Sequence, residues 1–516
     1  MSRKVRIILM LVLLAGVVGY RQLRDRAPQA APGKPAATTT VANPALKYGQ
    51  LAFKPCALSS PLQSVEAQCA TLSVPENHDA PAGDKSPRRI DLAVAWIPAK
   101  GEAEPDPIVM IAGGPGQSAL QSYPMIDAAF TDARRSRHVI LLDARGTGDS
   151  HPLKCATPET DDPLQDPMGN SPEAARVFAE RCRDELAKTS DLRHYATTDH
   201  IRDLDLLRQK LGVEQLNLVG VSYGTRVAQQ YAKRYPAHTR LLVLDSVAPN
   251  SLVLGQSFAR NLEAALKLQF ARCVADAACK GHLGDPSRNL ATVRERLKAG
   301  NLAPVRYRDP TTGEWRSDAP QFDHLAVLLR MYAYQPQAAA MLPLLLHDAA
   351  EGRYEGLLAQ SRMLVGDVSD SMMIGMQLSV ICTEDAAELR DDPTDADTVL
   401  GTDLVAFSMA QCAAWPKGTR PAGFREPLTG KVPVLAISGE FDPVTPPRYG
   451  DEAVKSLPNG RHLVLPGQGH NVIGAGCMPK LFAQFLETAD AKALDAACLK
   501  RLKPTPPFAG NYGWEP

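Results

Sequence analysis

The most constraining feature of the chain is a serine between two glycines, where an apolar segment gives way to a helical one. The pentapeptide 220–224 reads Gly-Val-Ser-Tyr-Gly, and the run 215–219 before it is typical of a buried strand. Residues 225–234 have the pattern of a helix. In so tight a turn, flanking glycines avoid side-chain clashes and leave the hydroxyl of Ser222 exposed at the strand end. The sequence therefore predicts that Ser222 is a nucleophile.

Two further polar residues follow apolar strands later in the chain. Asp442 lies in the loop after the run 432–437, and His470 lies in the loop after the run 462–465. A histidine can take the proton of a serine hydroxyl, and a carboxylate can hold the imidazole in the required tautomer. Because all three residues are expected in adjoining loops of one sheet edge, the pattern predicts a catalytic triad of Ser222, Asp442 and His470.

A glycine-rich loop follows another apolar strand. The run 107–112 opens into Gly-Gly-Pro-Gly-Gln-Ser at 113–118. Acyl transfer needs two backbone N–H donors that point at the developing oxyanion. One donor is expected from Tyr223, which follows the nucleophile, and the other from Gly113 or Gly114 in the glycine-rich loop. A simple glycine turn is the alternative interpretation of this loop.

Length and charge narrow the classes of function. The chain has 516 residues, which is enough for a catalytic core and a second domain. Lys and Arg together number 57, as do Asp and Glu, so the formal net charge is zero and a nucleic-acid partner is not expected. The sequence contains no C-x-x-C motif. Because triad chemistry needs neither a metal nor an organic cofactor, none is expected.

The N-terminus has the pattern of an export segment. Arg3, Lys4 and Arg6 precede the apolar run 7–18. A membrane-spanning helix usually needs about 20 apolar residues, so a cleaved signal peptide is favoured over an anchor. Because no A-x-A site closes the run, an uncleaved anchor through residues 7–20 stays the alternative. The protein is therefore expected to be periplasmic or secreted.

The cysteine count agrees with export. Ten cysteines behind an export segment indicate disulfides, and neighbouring pairs along the chain are the expected partners. Buried free thiols are the alternative. The expected bridges are Cys56–Cys69, Cys155–Cys182, Cys273–Cys279, Cys382–Cys412 and Cys477–Cys498.

The order of predicted elements describes a sheet with an insertion. Strands and helices alternate up to about residue 250, which favours a parallel sheet with helices on both faces. From there to about residue 431 the pattern is mainly helical, for example over 258–274 and 286–299, which predicts a cap above the site. The predicted segments are a signal peptide or anchor at 1–20, a linker at 21–46, the core at 47–250 and 431–502, the cap at 251–430 and an irregular tail at 503–516.

These motifs resemble the prolyl iminopeptidase and secreted tripeptidyl aminopeptidase family of α/β-hydrolases over about residues 48–502. The resemblance implies an α/β-hydrolase fold, with a mostly parallel, doubly wound sheet and a largely helical cap insertion. Prolyl iminopeptidases usually carry His before Gly-Gly-Pro-Gly, but this chain has Ala112, which favours the tripeptidyl aminopeptidase branch. The matching motifs are G-G-P-G at 113–116, D-x-R-G-x-G-x-S at 143–150, G-x-S-Y-G-T at 220–225, C-x-E-D at 382–385, D-P-V-T-P at 442–446 and G-H at 469–470.

The resemblance implies a serine exopeptidase that releases short peptides or amino acids from the free N-terminus of peptide substrates. Glu384 and Asp385 are the candidates to pair with the substrate ammonium, and a solvated acidic turn is the alternative. Asp143 and Arg145 are interpreted as a buried structural pair. Two other functions stay open, namely an esterase or lipase-like hydrolase with the same triad and a non-catalytic, membrane-tethered binding protein.

Overall fold

The computed structural model describes residues 46–60, 63–80, 88–156 and 171–509, and for residues 365–371 it describes the backbone alone. The predicted signal or anchor segment at 1–20 lies outside the described residues, as does all but the last residue of the predicted linker. Within the described ranges, none of the helices is long and apolar enough to cross a membrane.

Twelve strands occur in the described part of the chain, ten in one sheet and two in a hairpin. The strands are β1 Leu46–Tyr48, β2 Leu51–Ser59, β3 Ser64–Pro75, β4 Arg89–Ile97, β5 Ile108–Ile111, β6 Val139–Leu142, β7 Leu216–Val221, β8 Thr239–Asp245, β9 Val305–Arg308, β10 Trp315–Asp318, β11 Val434–Gly439 and β12 Gly460–Leu465. The sheet has the order β1-β2-β3-β4-β6-β5-β7-β8-β11-β12, while β9 pairs with β10.

Helices cover both faces of this sheet and fill the long connection between β8 and β11. The α-helices are α1 Ala119–Ser122, α2 Pro172–Leu186, α3 Thr197–Leu211, α4 Tyr223–Arg234, α5 Phe258–Ala275, α6 Ala277–Leu283, α7 Pro286–Lys298, α8 Phe322–Tyr332, α9 Pro336–Ala339, α10 Leu342–Ala350, α11 Glu355–Ser371, α12 Ile374–Glu384, α13 Asp403–Ala414, α14 Pro447–Val454 and α15 Met478–Thr488. Short 3-10 turns occur at Tyr123–Phe130, Ala133–Arg135, Leu192–His194, Pro236–His238, Pro393–Asp395 and Ala497–Arg501.

The central strands of the sheet are parallel and buried, which is typical of a doubly wound sheet. Strands β6, β5, β7, β8, β11 and β12 run parallel to one another, whereas β1 to β4 form an antiparallel meander, and β4 also pairs antiparallel with β6. Every residue of β5, β6, β7 and β11 is buried, as expected for a parallel sheet with both faces covered. Two hydrophobic clusters occupy the two faces. The predicted fold class is confirmed.

The insertion between β8 and β11, residues 246–433, has two parts. Helices α5, α7, α8, α10 and α11 enclose a hydrophobic cluster of their own, which contains Leu262, Phe270, Val293, Leu328 and Leu346. The helices expected at 258–274 and 286–299 correspond to α5 and α7. This part is a separate small core that the amphipathic helices build together.

Helices α12 and α13 pack instead on the main sheet. Met376 and Leu378 of α12, together with Trp415 after α13, belong to the same hydrophobic cluster as β7 and α4. Helix α13 lies along α2, and a disulfide between Cys382 and Cys412 joins it to α12. The range 251–430 thus contributes both to the separate cluster and to the central core.

The expected disulfide pairing is confirmed. All five bridges join cysteines that are neighbours in sequence, and none of the described cysteines is free. Each bridge therefore closes a loop of at most 30 residues and fastens a local segment rather than distant parts of the fold. The bridges are Cys56–Cys69, Cys155–Cys182, Cys273–Cys279, Cys382–Cys412 and Cys477–Cys498.

The predicted pairing of Asp143 with Arg145 is wrong, although both side chains are buried. Arg145 forms a bidentate ion pair with Asp203 of α3, with two N–O distances of 2.7 Å. Asp143 accepts hydrogen bonds from the hydroxyl of Ser118 at 2.7 Å and from the N–H of Leu120 at 2.9 Å. The two residues therefore hold different parts of the fold: Asp143 holds the start of α1, and Arg145 holds α3.

Candidate active site

Ser222 occupies the turn between β7 and α4. Its backbone has the uncommon angles φ 54° and ψ −120°. A Cβ atom at Gly220 would lie 2.4 Å from the carbonyl oxygen of Gly224, and one at Gly224 would lie 2.3 Å from that of Ile111. Only glycine fits at both positions, as the sequence predicted. The N–H of Ser222 donates to the carbonyl oxygen of Asp245 at 2.8 Å, which ties the turn to β8.

Asp442 and His470 lie together in the loops after β11 and β12. The distance from His470 Nδ1 to Asp442 Oδ2 is 2.8 Å, and both side chains are buried. The other carboxylate oxygen accepts the N–H groups of Val444 at 2.9 Å and Thr445 at 2.8 Å. The Thr445 hydroxyl donates to Asp442 Oδ2 at 2.8 Å and lies 3.2 Å from His470 Nδ1. These contacts fix both the carboxylate and the imidazole.

The structure places Ser222 at the same edge of the sheet but does not join it to the histidine. Strands β7 and β11 both border β8, so the loops that carry Ser222 and Asp442 are close neighbours. The hydrogen bonds of the described residues include none from Ser222 Oγ to His470 Nε2. Such bonds are often long in proteins without substrate and shorten in the complex. The assignment of the three residues as a triad therefore stays a prediction.

His470 and Asp442 each stabilise the charged form of the other. Burial alone would lower the pKa of His470 and raise that of Asp442, but the attraction between imidazolium and carboxylate outweighs it. The pKa of His470 is consequently above its ordinary value, and the pKa of Asp442 is below its ordinary value. The site thus favours the ion pair that forms when a histidine accepts a proton next to a carboxylate.

The glycine-rich loop after β5 lies against the nucleophile turn. A Cβ atom at Gly113 would be 3.1 Å from the Cβ of Ser222, and Gly114 has a φ of 104°. Tyr223 begins α4, where the first N–H groups have no acceptor within the helix. The backbones of Gly113, Gly114 and Tyr223 are therefore close to Ser222, although their role as oxyanion donors stays a prediction.

The insertion touches the site at two points. The N–H of His470 donates to the carbonyl oxygen of Tyr334 at 2.8 Å, and the two rings meet edge to face with centroids 5.1 Å apart. A Cβ atom at Gly469 would lie 2.1 Å from the same carbonyl oxygen, so glycine is required there. On the other side, the N–H of Met373 donates to the carbonyl oxygen of Gly116 at 3.0 Å. The insertion therefore covers both the histidine loop and the glycine-rich loop.

Glu384 and Asp385, the candidates for binding a substrate amine, lie at the end of α12 and are bonded to other protein groups. The Arg226 guanidinium of α4 lies 3.0 Å from Asp385 and 3.4 Å from Glu384. Glu384 also accepts the N–H of Thr197 at 2.7 Å, and Asp385 pairs with Arg425 at 2.8 Å. Their exposed fractions are 2% and 0%. The solvated acidic turn is therefore excluded, and the amine-binding role stays a prediction.

Asp245 was not singled out from the sequence. It is the last residue of β8, its exposed fraction is 0%, and its carboxylate contacts the loop that follows His470. Burial raises the pKa of Asp245 to about 6, although hydrogen bonds from that loop act in the opposite direction. The sequence feature that could have pointed to Asp245 is its position at the end of an apolar strand. Many residues with purely structural roles occupy the same kind of position.

A family model described as alpha/beta hydrolase fold matches residues 106–474 of the chain. The chain belongs to the α/β-hydrolase family. It is 26% identical over 497 residues to the serine protease Hip1 of Mycobacterium tuberculosis, covering 88% of this chain and 92% of the relative. It is 26% identical over 480 residues to a tripeptidyl aminopeptidase of Streptomyces coelicolor, covering 85% and 84%. A solved proline iminopeptidase structure from Mycobacterium smegmatis aligns at 18% identity with a TM-score of 0.37, covering 81% and 98%.

These findings confirm the resemblance that the motifs indicated. The protein is a hydrolase of the α/β-hydrolase family, with the sheet and the strand-to-helix serine turn of that family. In the described part of the chain, no three or more His, Cys, Asp or Glu side chains are grouped as metal ligands.

Proposed function

We propose that this α/β-hydrolase is a serine exopeptidase whose triad consists of Ser222, His470 and Asp442. The observation that carries the proposal is the buried 2.8 Å contact between His470 Nδ1 and Asp442 Oδ2, beside the strained turn of Ser222. Two backbone N–H groups and one hydroxyl hold the Asp442 carboxylate in one orientation. The carboxylate in turn orients the imidazole of His470 through Nδ1, so that Nε2 is the nitrogen available to Ser222. Because the N-H at Nδ1 faces Asp442, Nε2 is the nitrogen that accepts a proton.

In the first half of the reaction, the Ser222 hydroxyl oxygen bonds to the scissile carbonyl carbon. His470 Nε2 accepts the hydroxyl proton, and the carbonyl oxygen becomes the oxyanion. The N–H of Tyr223 and one glycine N–H of residues 113–114 stabilise that oxyanion. The C–N bond then breaks, the leaving amine takes the proton from His470, and an acyl-enzyme remains on Ser222.

In the second half, water attacks the acyl carbon while His470 takes one of its protons. The bond from the acyl carbon to Ser222 Oγ breaks, and His470 returns the proton to the serine oxygen. The products are the free enzyme and a carboxylic acid, which for a peptide substrate is the released N-terminal fragment. Asp442 keeps its negative charge throughout and stabilises the imidazolium at each stage.

Action at a free N-terminus is supported by the similarity to a tripeptidyl aminopeptidase over most of both chains. The insertion above the histidine and glycine-rich loops can limit how much peptide enters the site. Glu384 and Asp385 stay predictions for the amine contact, because Arg226 already pairs with both. The five disulfides are typical of proteins that fold in an oxidising compartment, so we propose export and peptide substrates outside the cytoplasm.

A peptide digest tests this proposal. Purified protein is incubated with matched peptides that have a free or an acetylated N-terminus, and the products are identified by mass spectrometry. We expect short N-terminal fragments from the free peptides, no cleavage of the acetylated ones, and no cleavage by Ser222→Ala. Hydrolysis of acyl esters without peptide cleavage would support the esterase alternative. Failure of a fluorophosphonate probe to label wild-type protein would support the non-catalytic alternative.

A further inference from the structure

Asp245 is a buried carboxylate at the centre of the candidate site that the triad mechanism does not use. It ends β8, which lies between the strands leading to Ser222 and to Asp442. A carboxylate that is shielded from water is stable only when several hydrogen-bond donors surround it. The donors around Asp245 therefore indicate what the residue holds in place.

Those donors belong to the loop that immediately follows His470. The N–H of Val472 lies 2.9 and 3.0 Å from the two oxygens of Asp245, and the N–H of Ile473 lies 3.0 Å from Oδ2. The adjacent Ser246 completes the set, because its hydroxyl oxygen accepts the N–H of Asn471 at 2.8 Å. Two neighbouring side chains thus bind the three backbone N–H groups that follow the histidine.

The backbone of the same dipeptide binds the rest of the site. The carbonyl oxygen of Asp245 accepts the N–H of Ser222 at 2.8 Å. The N–H of Ser246 donates to the carbonyl oxygen of Ile437, in the strand that leads to Asp442, also at 2.8 Å. The residue pair at the end of β8 therefore connects the nucleophile turn, the strand of the acid and the loop of the base.

Backbone strain is concentrated at these contacts. Ser222, Ser246 and Asn471 have φ angles of 54°, 60° and 67°, which residues other than glycine seldom adopt. Such angles are unfavourable and persist only where surrounding contacts enforce them. All three residues are directly hydrogen-bonded to Asp245 or Ser246, or belong to that pair.

We infer that Asp245 is a positioning residue, whose carboxylate fixes the loop after His470 so that the imidazole meets the Ser222 hydroxyl. This inference rests on the proposed function, since it takes His470 as the base for Ser222. Asp245 itself touches neither the substrate nor the proton. A displacement of about 1 Å between reacting groups can cost about 100-fold in rate, so loss of these bonds should affect chemistry more than binding.

Asp245→Asn is the first test, because the amide has nearly the same size but turns an N–H₂ towards backbone N–H groups. Active sites are titrated with a fluorophosphonate probe, and rates are expressed per titrated site. We expect kcat on a short peptide to fall about 10- to 100-fold, with KM changed less than about two-fold. The rate of labelling by the probe should fall by a similar factor. A residue that only stabilises the fold would reduce the number of sites but not the rate per site.

Asp309→Asn is the matched control, since Asp309 is also buried and accepts two backbone N–H groups, those of Thr311 and Thr312, in the β9–β10 hairpin. Its rate per site should equal that of wild type. Should Asp245→Asn not fold, Ser246→Ala removes the bond from Asn471 and the donation of the Ser246 hydroxyl to Asp245 Oδ1 at 3.2 Å, but leaves the bonds of Val472 and Ile473 to Asp245. A drop of about 3- to 10-fold is then expected.

Peptide mapping of the probe on wild-type protein separates the two proposals. Absence of label on Ser222 would overturn the proposed function. Label on Ser222 together with wild-type rates per site in Asp245→Asn, or in Ser246→Ala if the first variant does not fold, would overturn the positioning role alone.

Discussion

The loop of Asp442 and the C-x-E-D segment at 382–385 both bury carboxylates in motifs of the same family, but their partners differ. Asp442 faces His470, whose charge changes when a proton moves. Glu384 and Asp385 face Arg226, which stays protonated under all ordinary conditions. A carboxylate beside a titratable partner can support proton transfer, whereas one beside a guanidinium is suited to holding helices together. The partner therefore indicates the role better than the motif does.

The electrostatic consequences of the two sites are opposite. The pair with His470 lowers the pKa of Asp442 despite complete burial of the carboxylate. Burial raises the pKa of Glu384 to about 7, although the charge of Arg226 opposes this rise. At neutral pH, Asp442 is therefore ionised, whereas Glu384 is divided between its protonated and its ionised form.

The largest expected effect concerns the Asp442 site. Ser222→Ala and His470→Ala should each lower kcat by about 10⁴- to 10⁶-fold, because each removes a group that forms or breaks a bond. The double variant should be little worse than either single variant, since the groups act as one unit. Steady-state kinetics measures the loss, and circular dichroism confirms folding. Near-wild-type activity in either single variant would refute the triad.

Glu384→Gln tests the second site and should have a smaller effect. An amine contact predicts a loss of about 2–5 kcal/mol in transition-state stabilisation for peptides with a free N-terminus, and none for a small ester. An equal loss on both substrates would mean that Glu384, which is buried against Arg226, only supports the fold of the insertion. The measurement is kcat/KM for each. Glu388→Gln, three residues after that segment and paired with Arg420 and Arg425, is the matched control. A loss confined to the free peptide would assign the amine to Glu384.

Each of the two regions contains or adjoins a disulfide. Removing the two bridges one at a time compares how much each contributes to the free energy of unfolding. The Cys382–Cys412 bridge includes the first residue of the C-x-E-D segment, and the Cys477–Cys498 bridge follows the loop of His470. Replacing either pair by serine should lower the free energy of unfolding by about 2–4 kcal/mol, slightly more for the longer loop of the first pair. Urea denaturation measures this. Free thiols in denatured, unreduced wild-type protein from its native compartment would contradict the bridges.

The smallest expected effect is on pH dependence. A Glu pKa of about 7 in the folded state exceeds the unfolded value of about 4.3, so stability from Glu384 is present at low pH and is lost as the pH rises through 7. Glu384→Gln removes this loss. Relative to wild type, the variant should therefore gain on the order of 1–3 kcal/mol between pH 5 and pH 8. Urea denaturation at both pH values measures the difference, and a constant difference would rule out a raised pKa.

The parts of the site that follow from local sequence were predictable. The turn at Ser222 needs glycine at 220 because a Cβ atom there would meet the backbone of Gly224, within the same five residues, so the motif predicted its geometry. Glycine at 224 is needed for a more distant reason, the close approach of the Ile111 backbone. The loops of Asp442 and His470 follow apolar runs whose ends locate the sheet edge. The helices of the insertion were also expected, because their apolar spacing depends only on which faces are buried.

The parts that depend on distant packing were not predictable. Arg145, in the loop after β6, pairs with Asp203 of α3, 58 residues further along the chain, and nothing near Arg145 indicates that partner. Asp245 acquires its role from the loop at 471–473, more than 220 residues further along the chain. Likewise, an apolar face on α12 predicts burial but not whether it packs on the insertion or on the main sheet. Only the folded chain decides between such partners.

The contact between Tyr334 and His470 has a consequence for redesign of the enzyme. The backbone of the base is held by a carbonyl group of the insertion, and Gly469 is packed against the same group. Exchanging the whole insertion for that of another hydrolase would remove this acceptor and loosen the base, whatever pocket the new segment brings. Substrate range is therefore better changed by point substitutions elsewhere in the insertion, with the backbone at 333–334 kept as part of the catalytic unit.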